Sequence, residues 1–593
     1  LGSGYVDALF LSYSSLPNSL DFVSYWWSVA ARKLVSGEIR QFGFVTTKAI
    51  AQVGNRPILR ELVSNKNYHL TFAIPNHPWI DDSNAAAVRV AFTVGGPRST
   101  KGQLWRSISE RRGGHGEPPH VDFAAKEGSL NADLSVGVDV TGAKTLISNS
   151  SLSFQGCKLG HDAFQVAGSQ LSSILDGAPV GEHVRRYIGG DQIKDNVPPA
   201  YVIDLFGFGE EEVLSRFPAA YHHLLVNVKP FKDEVRRASH RERWWLFGEP
   251  RPELRHALST QKRYITTVEV SKHRYFVYQP WPEVLIDGSV IALAVSSDDI
   301  FSILHSRVHC LWSLKLGGRM GVGNDPRYQN TLVFDKFAFP FISKRAAAAL
   351  NELTALGERL HAFRSLQLVR HPQLTLTRLY NTLERIRELE NGCDVPPLTE
   401  AERDVHQAGL VSVLKEIHDD IDRAVLTAYG WDDLIPELVG KPGATLPSPH
   451  KSEAQERAEE ELLSRLVALN QERAAEEKRG IVRWLRPDYQ IPKLGVKAPK
   501  PEGEHVGVLD IELPASADRP KWPSDGLEQI RLVRDLLAKA PAPTQPDAIA
   551  IALDGRNTPK RRARIAEVLE TLVATGLARA GEQEGQRRYF LPR

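Results

Sequence analysis

His69-Leu70-Thr71-Phe72-Ala73-Ile74-Pro75-Asn76-His77-Pro78-Trp79 is the stretch on which the fold turns. Residues from His69 to Ile74 suit a pleated strand. The two prolines that follow cannot donate to a ladder, so a turn-rich loop is expected from Pro75 to Asp82. Upstream, Ile39 to Thr46 reads as a strand and Thr47 to Val63 as a helix. Before them, Phe22, Tyr25, Trp26, Ala30 and Leu34 recur at helical spacing until Gly37 stops the run. Downstream, Ala86 to Val94 reads as a third strand, ended by Gly95-Gly96-Pro97. Strands alternating with helices predict an α/β layer over residues 1–97.

Further along, residues 98–180 are polar and Gly-rich, with short alternating runs such as Ala132–Val140. They are expected to form an irregular insertion and connector. From about Tyr187 to Phe341 aromatic and basic residues interleave, which predicts a mixed α+β domain over 181–345. Helical periodicity dominates 346–486, in Ala346–Leu360, Leu374–Leu389 and Glu453–Lys478. The last of these carries Leu462, Leu463, Leu466 and Leu469 on one stripe. Residues 487–523 read as a Pro- and Lys-containing linker. In 524–593, three helices are expected, the third opening with Thr558 as N-cap and Pro559 at its first position. Two short strands follow, Leu577–Ala580 and Arg587–Leu591, so this unit reads as a winged helix-turn-helix. The fold class is therefore a multidomain α/β and α+β chain.

Composition bounds the function. The chain has 593 residues, 42% hydrophobic and 25% charged, with a net charge of +2, so nucleic-acid binding would have to come from local patches. No apolar run is long enough to span a membrane. Cys157, Cys310 and Cys393 are odd in number and far apart, which fits no disulfide framework and suggests a cytoplasmic setting. Phosphate-loop, zinc-protease, Cys-x-x-Cys and Gly-x-Ser-x-Gly motifs are absent. The Leu1 start and the single methionine, Met320, suggest part of a longer protein.

Several ordered blocks carry a family resemblance. They are Asp21-Phe22-Val23-Ser24-Tyr25-Trp26-Trp27, Phe42-Gly43-Phe44-Val45-Thr46-Thr47 and Phe72 to Trp79. Arg186-Tyr187-Ile188-Gly189-Gly190 and Trp244-Trp245-Leu246-Phe247-Gly248-Glu249-Pro250-Arg251 follow. Val270 to Arg274, Leu304 to His309, Asp325-Pro326-Arg327-Tyr328 and Phe337-Ala338-Phe339-Pro340 complete the set. In order and spacing the chain resembles adenine-N6 DNA methyltransferases of fused restriction–modification enzymes, the MmeI-like group. The resemblance implies that 1–97 is the second half of an S-adenosylmethionine-dependent, Rossmann-like methyltransferase domain. It also implies that 181–345 is a DNA target-recognition domain and that 346–486 is a helical spacer. The family's cofactor Gly motif and Asn/Asp-Pro-Pro-aromatic motif precede the Tyr-Trp-Trp block, and neither stands in this sequence. The chain alone is thus expected to lack catalytic residues and activity. Its expected partners are double-stranded DNA and a missing N-terminal half or a separate methyltransferase chain. The alternative is a non-catalytic specificity subunit. Ser302, His305 and Ala338 depart from the family pattern.

Candidate site residues follow. Trp79 is expected to stack on a flipped base, as the resemblance implies. Lys272, His273 and Arg274 follow a strand at a turn, and Arg319 and Arg327 lie in or beside a Gly-rich segment. All five are expected to meet DNA, since Arg and Lys suit phosphates and guanine edges. In the winged helix, Lys560, Arg561, Arg562, Arg564 and Arg588 are expected at phosphates. Bland readings win elsewhere. Trp244 and Trp245 are expected in a core, as are Tyr25, Trp26 and Trp27. His305 and His309 are expected to be structural, with no metal. Asp81 and Asp82 are expected in a solvated turn.

Overall fold

The computed structural model describes residues 3–13, 16–18, 20–52, 54–79, 88–98, 101–111, 120–320, 325–340, 347–494, 520–523, 525–540, 544–554, 558–575, 577–583 and 586–591. They fall into two compact units, 1–499 and 500–593.

The larger unit opens with a five-stranded sheet. Its strands are β1 (Phe42–Thr47), β2 (Tyr68–Trp79), β3 (Val88–Pro97), β4 (Gly102–Arg111) and β5 (His120–Gly128), in the order β1-β3-β2-β4-β5. Only the β2/β4 pair is parallel. The helices Phe22–Val35 and Arg56–Val63 place Trp27, Leu34, Leu59 and Leu62 in one core with Leu70 and Leu104. Trp27 is fully buried, and its indole N–H donates to Thr93 Oγ1 at 3.1 Å.

Two expectations change here. First, β2 does not end at Ile74 but runs through both prolines to Trp79. The ladder slips between Ile74 and His77, so Pro75 falls where no partner residue is aligned, and Pro78 resumes opposite Arg89. A proline is tolerated at such an irregularity. Second, residues 102–111 and 120–128 are not irregular; they are the long strands β4 and β5, with β5 at the edge of the sheet. Their polar composition reflects the solvent-facing character of β5. Gly102 is required by close packing, since a Cβ there would meet the Gly128 carbonyl oxygen at 2.5 Å.

Two further sheets follow. Their strands are β6 (Ser153–Gln155), β7 (Gln165–Val166), β8 (Val184–Ile188), β9 (Ala200–Ile203), β10 (Arg263–Val268), β11 (Val277–Pro280), β12 (Val284–Ile286) and β13 (Val290–Leu293). The orders are β11-β10-β13-β6 and β12-β8-β9-β7. Residues 153–166, expected in the connector, thus belong to the same sheets as 184–293. The helices Asp298–His305 and Arg307–Leu316 lead into a hairpin of β14 (Arg319–Met320) and β15 (Asp325–Pro326).

The helical region does not stand apart as a spacer. Leu353 and Leu360 of the helix Ala347–Arg370, Leu383 of Leu376–Glu390, Ile421 of Val411–Tyr429 and Leu462 of Glu453–Lys478 share one core with Phe301, Leu304 and Trp312. At one crossing a Cβ on Gly357 would lie 2.2 Å from the Asp298 carbonyl oxygen, and the Ser302 hydroxyl donates to the Leu353 carbonyl at 2.6 Å.

The smaller unit has the helices Gly526–Ala538, Pro546–Ile551 and Pro559–Ala574 and a hairpin of β16 (Arg579–Gln583) and β17 (Gln586–Phe590). Val533, Leu537, Ile565, Leu569 and Tyr589 form its own core. The Thr558 hydroxyl accepts the Arg561 N–H at 3.2 Å, so this residue caps the third helix.

Candidate nucleic-acid interface

The long β2/β3 hairpin positions Trp79. It pairs with Val88 at the strand's end and is 47% exposed. Below it, His77 Nδ1 lies 2.6 Å from the Pro78 carbonyl, and its ring stacks on Phe123 with centroids 5.8 Å apart. Arg89 donates to Asn76 Oδ1 across the hairpin at 2.5 Å and pairs with Glu110 on β4. These contacts brace the strand end, leaving the indole as its exposed tip. Asp81 and Asp82 lie outside the described residues.

The two segments singled out in the target-recognition region come together. Ser271 N–H donates to the Pro326 carbonyl at 3.2 Å, and Val270 bridges to Arg327. Their side chains divide sharply. Arg274 is 2% exposed; it donates to Thr267 Oγ1, the Val268 carbonyl and the Pro326 carbonyl at 3.0, 2.6 and 3.3 Å. Its guanidinium also lies over the Tyr328 ring. In place of the expected DNA contact, Arg274 is an internal clamp, because burial removes it from solvent and these acceptors hold both of its terminal amino groups. His273 is equally buried, held by Thr445 Oγ1 and Asn381 Oδ1. Burial lowers its pKa to about 4, so it is neutral and cannot meet a phosphate as a cation. Lys272 is exposed and donates to Asn381 Oδ1 at 2.7 Å.

Arg319 and Arg327 face outward. Arg327 pairs with Glu269 at 2.7 Å and keeps about a third of its side chain exposed. Arg319 is exposed on β14, and Gly321 to Gly323 lie outside the described residues. Crowding by protein lowers the pKa of Arg319, and the Arg106 cation adds to this while Asp325 opposes it. Desolvation lowers the pKa of Lys48 as well, helped by the charges of Arg89 and Arg319. Arg319 of this hairpin therefore lies close enough to Lys48 and Arg106 for their charges to act on one another, with Arg89, paired to Glu110, acting on Lys48. Sequence reading missed those three, because they lie on separate elements and only the sheet order assembles them.

In the smaller unit Arg562 pairs with Asp547 at 3.4 Å and Arg564 with Glu567 at 2.8 Å, both pairs exposed. Arg561 donates to the Asp554 carbonyl at 3.0 Å. Arg588 lies half-buried on β17. The Lys560 side chain lies outside the described residues. Exposed ion pairs of this kind are weak, typically up to about 1 kcal/mol, so a phosphate can exchange for either carboxylate.

The readings of core residues meet mixed outcomes. Trp244 and Trp245 are buried, and their indole N–H groups donate to Glu210 Oε1 and the Phe208 carbonyl, each at 3.1 Å. Tyr25 and Trp27 are core residues, but Trp26 is exposed. His305 accepts the Phe276 N–H at 3.0 Å and contacts the Phe301 carbonyl. His309 contacts the Leu304 carbonyl and the Tyr328 hydroxyl, and burial holds its pKa at about 3. Both imidazoles are therefore neutral structural groups. Among the described residues no three His, Cys, Asp or Glu side chains cluster as metal ligands, and no helix is long and apolar enough to cross a membrane.

A multidomain α/β chain of several sheets and many helices is the class these features define. Residues 5–105 match the family model of the MmeI DNA-methyltransferase domain, and residues 232–341 match that of the MmeI target recognition domain. The chain thus carries segments that match the methyltransferase and target recognition domains of MmeI, in this order. Among solved structures, the type IIL restriction-modification enzyme MmeI in complex with DNA is similar, with 18% identity and a TM-score of 0.58. The match covers 80% of this chain and 55% of that one, so the chain spans about half the length of that relative. The type IIG restriction endonuclease BpuSI is a distant second, with 10% identity and a TM-score of 0.24, covering 66% of this chain and 47% of that one. No curated protein matches.

Proposed function

We propose that this chain is the DNA-recognising part of a site-specific adenine-N6 DNA methyltransferase of a restriction–modification or phage-defence system. The observation that carries this reading is the pair of matched segments, methyltransferase at 5–105 and target recognition at 232–341, with Lys48, Arg106 and Arg319 of the two brought within electrostatic reach. A duplex lying there is held by its phosphates while the hairpin reaches base edges. Trp79, braced from below, offers a flat apolar surface for a base turned out of the stack. The helices and hairpin of residues 526–591 act as a winged helix, with Lys560, Arg561, Arg562, Arg564 and Arg588 at the DNA backbone. Lys272 and Arg327 serve as secondary phosphate contacts.

S-adenosylmethionine is the donor that the family implies. Its reactive sulfonium is a cation, and the cavity beside the helix Arg56–Val63 is lined by cations, which does not suit it. The sequence also holds no Asn/Asp-Pro-Pro-aromatic motif to position an adenine amine. The chain on its own is therefore read as holding DNA without transferring methyl groups.

Selection of bound sequences from random duplexes, at stated salt, tests the recognition reading. Arg319→Ala is expected to cost about 1–3 kcal/mol and to relax the preference if it reads a base, or to flatten the salt dependence by about one unit if it meets a phosphate. Unchanged affinity, preference and salt slope would refute the placement.

A further inference from the structure

The geometry points to a second anion site in the larger unit: a cavity that takes a phosphate-bearing ligand, built by Arg56, Arg60, Lys144 and Lys336. These four side chains line one open cavity of about 400 Å³, floored by Leu316 and Leu332. No carboxylate lines it. None of the four makes an ion pair with a carboxylate among the described residues. Like charges brought together are costly, and although Asp133 and Asp139 act on Arg56 from outside the lining, such an arrangement favours a bound anion.

The scaffold is built to hold them there. Asn470, fully buried on the helix Glu453–Lys478, accepts the Lys144 N–H at 2.7 Å and donates to the carbonyls of Lys144 and Lys336 at 2.8 and 2.7 Å. One amide thus fixes both lysine backbones side by side. Opposite them, Arg56 Nε donates to the Ala51 carbonyl at 3.0 Å, and Arg60 donates to Thr141 Oγ1 at 3.1 Å. Each arginine keeps further donors for a ligand. The helix that carries both arginines has no acid in its first turn. The carboxylates that act on Arg56 are outside the lining and accept local hydrogen bonds: Asp139 from Thr141 N–H and Oγ1, and Asp133 from Ser135 N–H and Oγ. Desolvation lowers the pKa of Lys336, and the charges of Arg60, Arg56 and Lys144 lower it further, which agrees with their convergence.

Phosphate is the ligand chemistry that fits. Two arginine forks and two ammonium groups match several oxygens bearing more than one charge, and the apolar floor leaves room for a sugar or base. The phosphates can come from a DNA backbone or from a free nucleotide or pyrophosphate. The inference does not rest on the DNA-recognition reading, since the cavity and its charges stand without it.

The test compares the full chain with the double variant Lys144→Gln/Lys336→Gln. Both lysine side chains are at least partly exposed, and Asn470 bonds only their backbones, so the fold should hold. Thr145→Glu, an exposed change at the same rim, provides a second variant should the first not fold. Calorimetry with inorganic pyrophosphate is expected to show binding that weakens at least about tenfold in either variant, equivalent to about 1.4 kcal/mol. If pyrophosphate does not bind but the slope of log affinity for a short duplex against log salt becomes shallower by about one to two in the double variant, the site stands and its source is the DNA backbone. Variants that match the parent with both probes overturn the inference while leaving DNA recognition intact. Pyrophosphate binding that depends on these lysines, in a chain that binds no duplex, keeps the site and sinks the DNA reading instead.

Discussion

Arg274 shows how far residue type alone can mislead. In sequence it stands beside Lys272 at a turn, in a basic context suited to DNA. The fold instead turns it inward, where three acceptors and the Tyr328 ring enclose it. Arg274→Ala is expected to destabilise the larger unit by about 1.5–3 kcal/mol, the scale of hydrogen bonds to a charged group. Arg274→Lys should restore little, because one ammonium cannot span acceptors set for a planar fork. Denaturant titration checks both, and a fully stable alanine variant with altered DNA preference would return the residue to the interface. Spacing gave no means of separating Arg274 from Arg319, since both stand in turn-rich, basic stretches. What separates them is packing: one faces the core and the other ends on an edge hairpin. Ser302 and His305, two of the three departures from the family pattern, become intelligible on the same terms. The first bonds Leu353, and the second receives a guanidinium N–H from Arg364 at 3.1 Å. Both face the helix Ala347–Arg370 and answer to its packing.

At the scale of elements, the helical region was legible as helices but not as part of the recognition core. Periodicity reveals an apolar stripe; it does not say which partner the stripe meets. Gly357 marks the joint. Gly357→Ala puts a methyl group 2.2 Å from the Asp298 carbonyl oxygen, forcing two helices apart and straining the Ser302–Leu353 bond. A loss of several kcal/mol is expected, on the scale of about 1–3 kcal/mol for overpacking plus the strained hydrogen bond. A stability loss below about 0.5 kcal/mol in chemical denaturation would show that the crossing is loose. Asp335 reports on another joint. Its carboxylate accepts from Ser153 Oγ at 2.6 Å, tying β6 to the turn Phe334–Lys336. Burial raises its pKa from 3.8 to about 6. The fold therefore favours the protonated form, and the sign follows. This contribution is present below about pH 4 and is lost as pH rises through about 6. Stability of the parent relative to Asp335→Asn should fall across that window; a difference independent of pH between 4 and 7 would contradict the assignment. The strands β4 and β5 escaped sequence reading for a related reason. A pair that ends the sheet with a wet strand lacks the strict alternation that marks a half-buried strand.

For the whole molecule, charge is distributed so that bulk composition conceals it. A net charge of +2 coexists with the cations within reach of Arg319 and with the arginines of the third helix of the smaller unit. That unit has its own core, so its removal should leave the larger unit's unfolding midpoint unchanged. If the two units divide the work as proposed, removing residues 500–593 should shorten the list of phosphate contacts but not the base reading. Each lost contact flattens the slope of log affinity against log salt by about 0.9. The truncated chain should therefore bind duplexes more weakly, with a shallower slope, and select the same sequences. Arg319→Ala in the full chain should do the reverse if it reads a base, altering selection while leaving the slope nearly intact. The two measurements cross-check one another. A truncation that changes the selected sequence would move specificity into the smaller unit, and one that leaves the slope untouched would remove that unit from the DNA.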